Sequence, residues 1–389
     1  MTDLVILADD LTGAADSAAL LTRRGRTSIV LEAEGDWPDD DVLAVDTDSR
    51  HCSEDVAGER VATATRRARA MGAEVVKKID STLRGNVTAE LRAMTGVLAE
   101  SGEQALLVVA PAFPGTSRTT VEGVVHVDGE RLSAHGSDGD LAGLLERGGL
   151  RAGRLGRAAL SGPEVLASRF EEAHQRLDAV VVDSESDEDL ATVVAASRRA
   201  AVPLLLVGSG GLTRPLAGPP RPSYDEPSAV RTPVLVVVGS YASASRTQRQ
   251  RLVDSGLTPV LLHADPARSS AELRRELARG DVVFSPDPDT PVDRSRAPQV
   301  AGALAEAVTA VLGSVGTLVA TGGETARAVL TAAGVSRLEV AGEVEPGVVR
   351  GRVPELELDV VTKAGAFGDR DALLRCVTSL RSIEEERTP

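Results

Sequence analysis

The sequence predicts an α/β protein of two domains with mainly parallel sheets and a ligand cleft between them. Three observations predict this fold class. Short unbroken apolar runs alternate with helical patterns along the chain, as buried parallel strands and their crossover helices do. The chain has 389 residues, which is more than one core usually serves. The segment 217–233 contains five prolines and no periodicity, so it is typical of a linker.

The elements follow the chain in the order strand, helix, strand, helix, which favours parallel pairing. Strands are predicted at 4–7, 42–45, 74–79, 105–110, 179–182, 202–207, 234–238, 259–262, 281–284, 317–320 and 356–361. Helices are predicted at 13–24, 55–71, 87–100, 187–200, 244–255, 298–313 and 324–334. The Gly-rich polar stretch 128–162 is expected to be a loop or a small excursion. These patterns place one domain at 1–216 and a second at 234–389.

Composition excludes several functional classes. The formal net charge is −15 and the sequence pI is near 4.9, which argues against nucleic acids and anionic membranes as main partners. No apolar stretch approaches the roughly 18 residues of a spanning helix, and the N-terminus begins a strand rather than a signal peptide. Cys52 and Cys376 lie far apart and form neither a disulfide framework nor a zinc site. We therefore expect a cytoplasmic protein, and the sequence leaves open whether it forms a homo-oligomer.

Lysine is rare in this chain. Of 43 basic residues counted as Lys plus Arg, only Lys77, Lys78 and Lys363 are lysines. Lysines that persist against such a bias are candidates for positions that need a compact point charge. Because side chains alternate along a strand, Lys77 and Lys78 are expected on opposite faces, so at most one of them points into a given site.

The segments that follow the strands differ between the two domains. Ligands of open α/β sheets bind beyond the carboxyl ends of the strands. In the first domain these ends carry carboxylates, hydroxyls and arginine, in the segments DD at 9–10, DTDSR at 46–50 and DSTLRGN at 80–86. In the second they carry Gly, Ser and Thr, in GSYASAS at 239–245, TGGET at 321–325 and KAGAFG at 363–368. The first set suits a small hydroxylated anion, and the second suits phosphates, which need free backbone N–H groups.

Two of these segments allow a purely structural interpretation. Gly322 and Gly323 provide a tight strand-to-helix turn, but Thr321 and Glu324 also have the spacing of a capping box. No P-loop and no dinucleotide fingerprint is present in the sequence.

In the DSTLRGN segment, the Arg84 guanidinium matches a carboxylate, and Asp80 can hold a hydroxyl or act as a base. The structural alternative is that Asp80 and Ser81 cap the next helix and Arg84 lies at the surface.

Two other functions remain open at this point. The strand followed by Asp46-x-Asp48 resembles the nucleophile motif of haloacid dehalogenase-type phosphatases, although the Asp-Asp pair precedes it and the order is wrong. A non-catalytic sensor of sugar acids or nucleotides is the second alternative. The histidines show no metal-ligand spacing, and we predict no protein metal site.

The ordered motifs resemble the four-carbon acid sugar kinase family. They are ADDLTGAAD, DSR, DSTLRGN, PAFP followed by RTT, GSGGL, GS followed by SRTQ, TGGETA, GEVEPG and VTKAGAFG, and they run from residue 4 to about 371. The resemblance implies an N-terminal domain that binds the acid sugar and a C-terminal domain that binds ATP. It implies transfer of phosphate to the terminal 4-hydroxyl of threonate, erythronate or 3-oxo-tetronate. The sequence departs from the family at Ser117, where a glycine is common, and in the segment 131–150.

The resemblance also assigns residues. The substrate half contains Asp9, Asp10, Arg50, Asp80, Ser81 and Arg84. The nucleotide half contains Ser240, Gly322, Gly323, Glu324, Thr325 and Gly365. We expect Arg84, with Arg50, to hold the sugar carboxylate, and Asp10 first or Asp80 second to accept the hydroxyl proton. Mg²⁺ is expected to bridge the ATP phosphates with few protein ligands.

Overall fold

The computed structural model describes residues 1–134, 137–218, 231–290 and 293–385. The chain forms two compact units. Unit 1 comprises Met1–Thr27 with Glu32–Arg221, and unit 2 comprises Ser28–Leu31 with Pro222–Pro389. Most of the predicted linker 217–233 lies outside the described residues.

The described residues form strands and helices in the following order. The strands are β1 (Leu4–Ala8), β2 (Thr27–Val30), β3 (Val42–Asp46), β4 (Glu74–Lys78), β5 (Leu106–Ala110), β6 (Arg118–Val121), β7 (Val124–Val127), β8 (Glu130–Arg131), β9 (Ala152–Leu155), β10 (Ala179–Val182), β11 (Leu204–Gly208), β12 (Val234–Val238), β13 (Thr258–Leu261), β14 (Val282–Ser285), β15 (Thr317–Thr321), β16 (Arg337–Glu345), β17 (Val348–Val353) and β18 (Leu358–Lys363). The helices are α1 (Leu11–Leu21), α2 (Glu54–Ala70), α3 (Val87–Glu100), α4 (Leu141–Arg147), α5 (Pro163–His174), α6 (Asp187–Ser197), α7 (Gly210–Ala217), α8 (Ser243–Asp254), α9 (Pro266–Leu277), α10 (Ala297–Thr309), α11 (Gly323–Ala332) and α12 (Ala372–Glu385).

Unit 1 contains a parallel sheet in the order β3-β1-β4-β11-β5-β10-β9. Every residue of β1, β3, β5 and β10 is buried, which is why these strands appear in the sequence as unbroken apolar runs. The chain passes from β1 to β3 on one side and to β4 on the other. This reversal makes the carboxyl end of β1 a topological switch point, where α/β sheets bind their ligands.

Unit 2 contains a mixed sheet in the order β13-β14-β12-β15-β18-β17-β16-β2. The strands from β13 to β18 in this order pair in parallel, whereas β17 and β16 add in antiparallel fashion. Strands β13 and β14 lie on one side of β12, and β15 lies on the other. The carboxyl end of β12 is therefore the topological switch point of this sheet. The α/β fold class expected from the sequence is confirmed, with parallel sheets dominating both units.

Several elements differ from the sequence-based expectation. Strand β2, a short TSIV segment, was not predicted, and it pairs antiparallel with β16 of unit 2. The stretch 128–162 is not simply a loop, because it contains β8, α4 and β9. The β6–β7–β8 hairpins and the β16–β17 hairpin were also missed, since their alternating or polar sequences lack a long apolar run.

Among the described residues, no helix combines the length and apolar character that a membrane crossing requires. Both cysteines are free thiols. All three lysines are buried. The exposed fractions are 0% for Lys77, 7% for Lys78 and 2% for Lys363. Burial of all three agrees with positions that need a compact charge, and the role of each lysine stays a prediction.

Candidate active site

The two aspartates after β1 have different partners. Arg50 donates to both oxygens of Asp9, from Nε at 2.7 Å and from Nη2 at 2.8 Å. Asp10 is the N-cap of α1, and its Oδ1 accepts the Gly13 N–H at 2.8 Å. Arg50 Nη1 also donates to Asp10 Oδ2. One buried guanidinium therefore contacts both carboxylates, which relieves the repulsion between two adjacent like charges.

Asp80 and Arg84 form a second paired cluster. Arg84 donates to Asp80 from Nε at 3.0 Å and from Nη2 at 2.6 Å. Thr82 donates to the same carboxylate through its N–H at 3.0 Å and its hydroxyl at 2.5 Å, and Arg50 lies 3.6 Å from it. The capping part of the structural alternative is wrong, because α3 begins at Val87 with Asn86 as its N-cap. Its other part agrees with the structure, since Arg84 is exposed. Ser81 lies in the turn between these groups.

These surroundings shift the three carboxyl pKa values in different directions. Burial opposes ionisation of all three groups. For Asp9 the charge of Arg50 outweighs burial and holds its pKa below the usual range. The Arg84 hydrogen bonds and the charge of Arg50 hold the pKa of Asp80 far below its usual range. For Asp10 burial dominates, and its pKa is raised. Asp10 is the carboxylate of the three that holds a proton most readily.

A buried polar network lies beneath this site. Lys77 Nζ forms an ion pair with Glu90 Oε2 at 2.8 Å, and Glu90 Oε1 accepts the Ser49 hydroxyl at 2.6 Å. The Thr47 hydroxyl donates to Ala8 O at 2.8 Å and lies 2.8 Å from Ser49 Oγ. The network connects the ends of β1 and β3, and it thereby orients the backbone that carries Asp9 and Arg50.

Lys78 lies on the other face of β4. Its Nζ donates to Ile79 O at 3.1 Å, and it lies 2.9 Å from the point that a Cβ on Gly13 would occupy. Asp10 Oδ1 lies 2.9 Å from the same point. Only glycine leaves both side chains in place, so Gly13 of the ADDLTGAAD motif makes room for the ammonium group.

Arg118 is a further candidate site residue, which the sequence reasoning did not single out. Its Nη1 donates to Thr116 O at 3.1 Å, but its buried Nε has no hydrogen-bond partner among the described residues. Burial lowers the pKa of Arg118. The charge of Asp80 opposes this shift, and the charge of Arg84 adds to it. The sequence signal for Arg118 was its place as the first residue of the RTT motif, 118–120. The preceding Ser117 has a φ of 57°, which explains why a glycine is common there.

The predicted nucleotide residues of unit 2 converge in space. A Cβ on Gly322 would lie 3.2 Å from Ser240 Cβ, and a Cβ on Gly365 would overlap the Ser240 hydroxyl. Gly322 has a φ of 100°, which favours glycine. A Cβ on Gly239 would likewise overlap the Thr325 hydroxyl. Turns that follow β12, β15 and β18 thus form one cradle of close backbone approach.

The capping-box interpretation of TGGET is wrong. Helix α11 begins at Gly323, and its N-cap is Gly322, which provides no side-chain hydrogen bond. The Thr321 hydroxyl is buried and has no partner among the described residues. A ten-residue helix therefore begins, with Gly323, Glu324 and Thr325 in its first turn, without a side-chain cap, and such an N-terminus is suited to phosphate.

A cavity of about 200 Å³ adjoins this cradle. It is lined by apolar and polar residues that include Ser240, Tyr241, Arg249 and Asp287. Arg249 is buried and donates to Ser285 Oγ at 2.7 Å. Pockets that bury whole drug-sized ligands measure about 300–1,000 Å³. The cavity therefore suits one part of a nucleotide, with the phosphates along the glycine turns.

The described residues contain no cluster of three His, Cys, Asp or Glu side chains that could hold a metal ion. Magnesium in phosphoryl-transfer sites is held largely by substrate phosphates and water, so the glycine cradle fits a phosphate-bound ion. Lys363 lies at the end of β18, and burial lowers its pKa to about 8. Its Nζ donates to Ala364 O at 2.8 Å, next to the Gly365 turn.

The phosphatase alternative loses support from the geometry of DTDSR. Asp46 is 1% exposed, and its carboxylate accepts the Asp48 N–H at 2.8 Å. Asp48 itself is exposed and forms an ion pair with Arg60 at 3.0 Å. A buried carboxylate that holds its own turn is poorly placed for nucleophilic attack.

Two family models match the chain. One is described as a sugar-binding N-terminal domain and matches residues 4–216. The other is described as a nucleotide-binding C-terminal domain and matches residues 235–373. The two matches follow the same order as the carboxylate-rich and glycine-rich strand ends.

Curated relatives match over almost the full length. A D-threonate kinase of Cupriavidus necator is 37% identical, with 99% of each chain covered. A D-threonate kinase of Bordetella bronchiseptica is 34% identical, with 97% of each chain covered. A D-erythronate kinase of Heliobacterium modesticaldum is 30% identical, with 100% of each chain covered.

Solved structures share the fold. A protein of Salmonella typhimurium superposes with a TM-score of 0.80 at 20% identity, covering 97% of this chain and 99% of that one. A protein of Haemophilus influenzae superposes with a TM-score of 0.76 at 21% identity, covering 97% and 100%. At these identities the likeness concerns the fold alone.

Proposed function

The chain belongs to the four-carbon acid sugar kinase family, and from that premise we propose that it transfers the terminal phosphate of ATP to the 4-hydroxyl of a four-carbon acid sugar. D-threonate, D-erythronate and 3-oxo-tetronate are the candidate substrates. The observation that carries the proposal is the cluster at the carboxyl ends of β1, β3 and β4, where Asp9, Asp10, Arg50, Asp80 and Arg84 converge. Family membership also argues against the phosphatase and the sensor.

The acid sugar carboxylate is assigned to Arg84 and Arg118. Arg84 uses Nε and Nη2 for Asp80, so Nη1 remains to bind a ligand carboxylate. Arg118 has an unpaired Nε among the described residues. Arg50 is committed to Asp9 and Asp10 and chiefly orients them. Asp9 and the Ser81 hydroxyl then line the pocket for the sugar hydroxyls.

Asp10 is the proposed general base. Its raised pKa suits a group that must accept a proton. Asp80, the second candidate, accepts five hydrogen bonds from Arg84 and Thr82. Each Asp10 oxygen accepts one, so Asp80 has less capacity left for a substrate proton. Asp80 therefore serves better to orient Arg84 than to act as a base.

The nucleotide phosphates are assigned to the glycine cradle of unit 2. Gly322, Gly323, Glu324 and Thr325 offer the start of α11, and Ser240 and Gly365 border it. When bound with ATP, Mg²⁺ supplies charge neutralisation between the phosphate oxygens. The reaction consumes ATP, which favours the cytoplasm.

A coupled assay of ADP formation tests this function. The purified chain is incubated with Mg-ATP and a panel containing D-threonate, L-threonate, D-erythronate and 3-oxo-tetronate. ADP release above the ATP-only background with at least one acid, and a 4-phosphate in the product by NMR, are expected. A chain that releases no additional ADP with any acid would overturn the proposal. Release of phosphate from an added phosphate ester of these acids without ATP, abolished by Asp46→Asn, would favour the phosphatase.

A further inference from the structure

We propose that Lys78 is a catalytic residue whose ammonium group contacts the phosphoryl group during transfer and neutralises its charge. The inference rests on the proposed kinase function and adds to it a residue that neither the motif comparison nor the family match assigns a role. It follows from the pairing, position and chemical identity of this side chain.

The Lys78 ammonium has unused donors. The side chain is more than nine-tenths buried, and its hydrogen bond is to Ile79 O at 3.1 Å. An ammonium group has three N–H donors. Among the described residues, no carboxylate lies within 4.0 Å of Nζ. A buried cation is normally paired with an anion, as Lys77 is with Glu90. We infer that the anion paired with Lys78 comes from a bound ligand.

The position identifies the reacting end of the site. Lys78 Nζ and Asp10 Oδ1 border the same small space above Gly13, at the N-terminus of α1, an eleven-residue helix. Both the ammonium group and the helix N-terminus favour negative charge. If Asp10 takes the proton of the substrate hydroxyl, the phosphoryl group that this hydroxyl attacks must arrive beside Lys78.

The charges of the site have the sign that an anionic ligand needs. The aspartates Asp9, Asp10 and Asp80 are countered at short range by the arginines Arg50 and Arg84. Lys78 and Arg118 add two cations that have no carboxylate in direct contact among the described residues. One of them can meet the carboxylate of the acid sugar, and the other can meet the phosphoryl group.

The chemical identity of the residue supports the same role. The chain uses arginine almost everywhere, and only three lysines occur in it. A guanidinium is larger and planar, whereas an ammonium group is a compact point charge. The space above Gly13 is so limited that even a Cβ there would lie 2.9 Å from Nζ.

The step balances without a further reactant. Asp10 accepts the proton of the 4-hydroxyl, the hydroxyl oxygen forms a bond to the γ-phosphorus, and the bond from this phosphorus to the β,γ-bridging oxygen breaks. ADP carries away the electron pair of that bond. Lys78 stays protonated throughout and donates its N–H groups to the phosphoryl oxygens, which is charge stabilisation in the transition state.

The test compares Lys78→Met and Lys78→Arg with the wild type. We expect both variants to lower kcat by about 10²- to 10³-fold, while the Kd for the acid sugar, measured by calorimetry without ATP, changes less than about threefold. The control is Arg92→Met, which removes an exposed cation of α3 and should leave kcat unchanged. Thermal unfolding verifies that each variant is folded.

A second variant keeps the test decisive if Lys78→Met does not fold. Lys78→Gln keeps a polar side chain but removes the charge, and it should lower kcat with little effect on the Kd of the acid sugar. A kcat within threefold of the wild type in folded Lys78→Met, or in folded Lys78→Gln, would overturn the inference. So would loss of acid sugar binding in Lys78→Met with normal kcat at saturation. A wild type without kinase activity would overturn the proposed function itself, which is a separate result.

Discussion

Lys77 and Lys78 are consecutive residues of β4, yet their ammonium groups have opposite surroundings. Lys77 forms a buried ion pair with Glu90 at 2.8 Å, whereas Lys78 lies beside Gly13 at the start of α1. Alternation along the strand separates them. One lysine therefore stabilises the sheet beneath the site, and the other faces the proposed chemistry.

The Lys77–Glu90 pair should be essential for stability. Lys77→Met leaves the buried Glu90 carboxylate without its cation, and breaking a buried pair in this way costs about 3–5 kcal/mol. The measurement is urea unfolding at pH 7. The double variant Lys77→Met/Glu90→Leu removes the unpaired charge and should recover part of the loss. A single variant within about 1 kcal/mol of the wild type would show that the pair contributes little.

Asp10→Asn should lower kcat by about 10²-fold or more, because the amide cannot accept the proton. The pH dependence identifies the base. Activity requires the ionised carboxylate, so it falls as pH falls through the pKa of the base. If the base is Asp10, whose pKa burial raises, the acid limb of kcat/KM lies above the ordinary aspartate value of about 3.9. An acid limb below that value would instead indicate Asp80.

Arg118→Met should raise the KM for the acid sugar by about 10- to 100-fold, since a hydrogen bond to a charged group is worth about 1.5–3 kcal/mol. The uncharged polyol erythritol has no carboxylate, so any kcat/KM measured with erythritol should be the same in variant and wild type. Equal losses for the acid and for erythritol would mean that Arg118 supports the fold of the β6–β7 hairpin rather than the carboxylate.

Gly322→Ala should raise the KM for ATP about tenfold or more, because a Cβ enters the cradle 3.2 Å from Ser240 and strains a φ of 100°. The matched control is Gly334→Ala at the other end of α11. Gly334 also has a positive φ, of 71°, but open space around its Cβ position. An alanine held at a positive φ costs about 1–3 kcal/mol of stability at either position. If both variants raise the KM for ATP equally, backbone strain rather than the cradle is responsible.

Much of the candidate site could be predicted from the chain alone. Parallel strands end at one edge of their sheet, so the segments after β1, β3 and β4 had to lie close together. The same reasoning brought the segments after β12, β15 and β18 together. The antiparallel strand β2 could not be predicted, because it has four residues and its partner β16 lies about 300 residues away in sequence. Strand β16 lacks an unbroken apolar run.

The amino-acid sequence by itself determined the α/β class, the family and the two chemically distinct sets of strand ends, because these depend on local apolar runs and on the order of short motifs. Only the tertiary structure decided which charges pair with one another. Arg50 and Arg84 were expected to hold the substrate carboxylate, but the fold brings protein carboxylates within hydrogen-bond distance of both. Arg84 Nη1, Lys78 and Arg118 remain available for an anionic ligand. Pairing between charges is a matter of distance and burial, and residues 41 positions apart, such as Asp9 and Arg50, acquire their distance only when the chain folds.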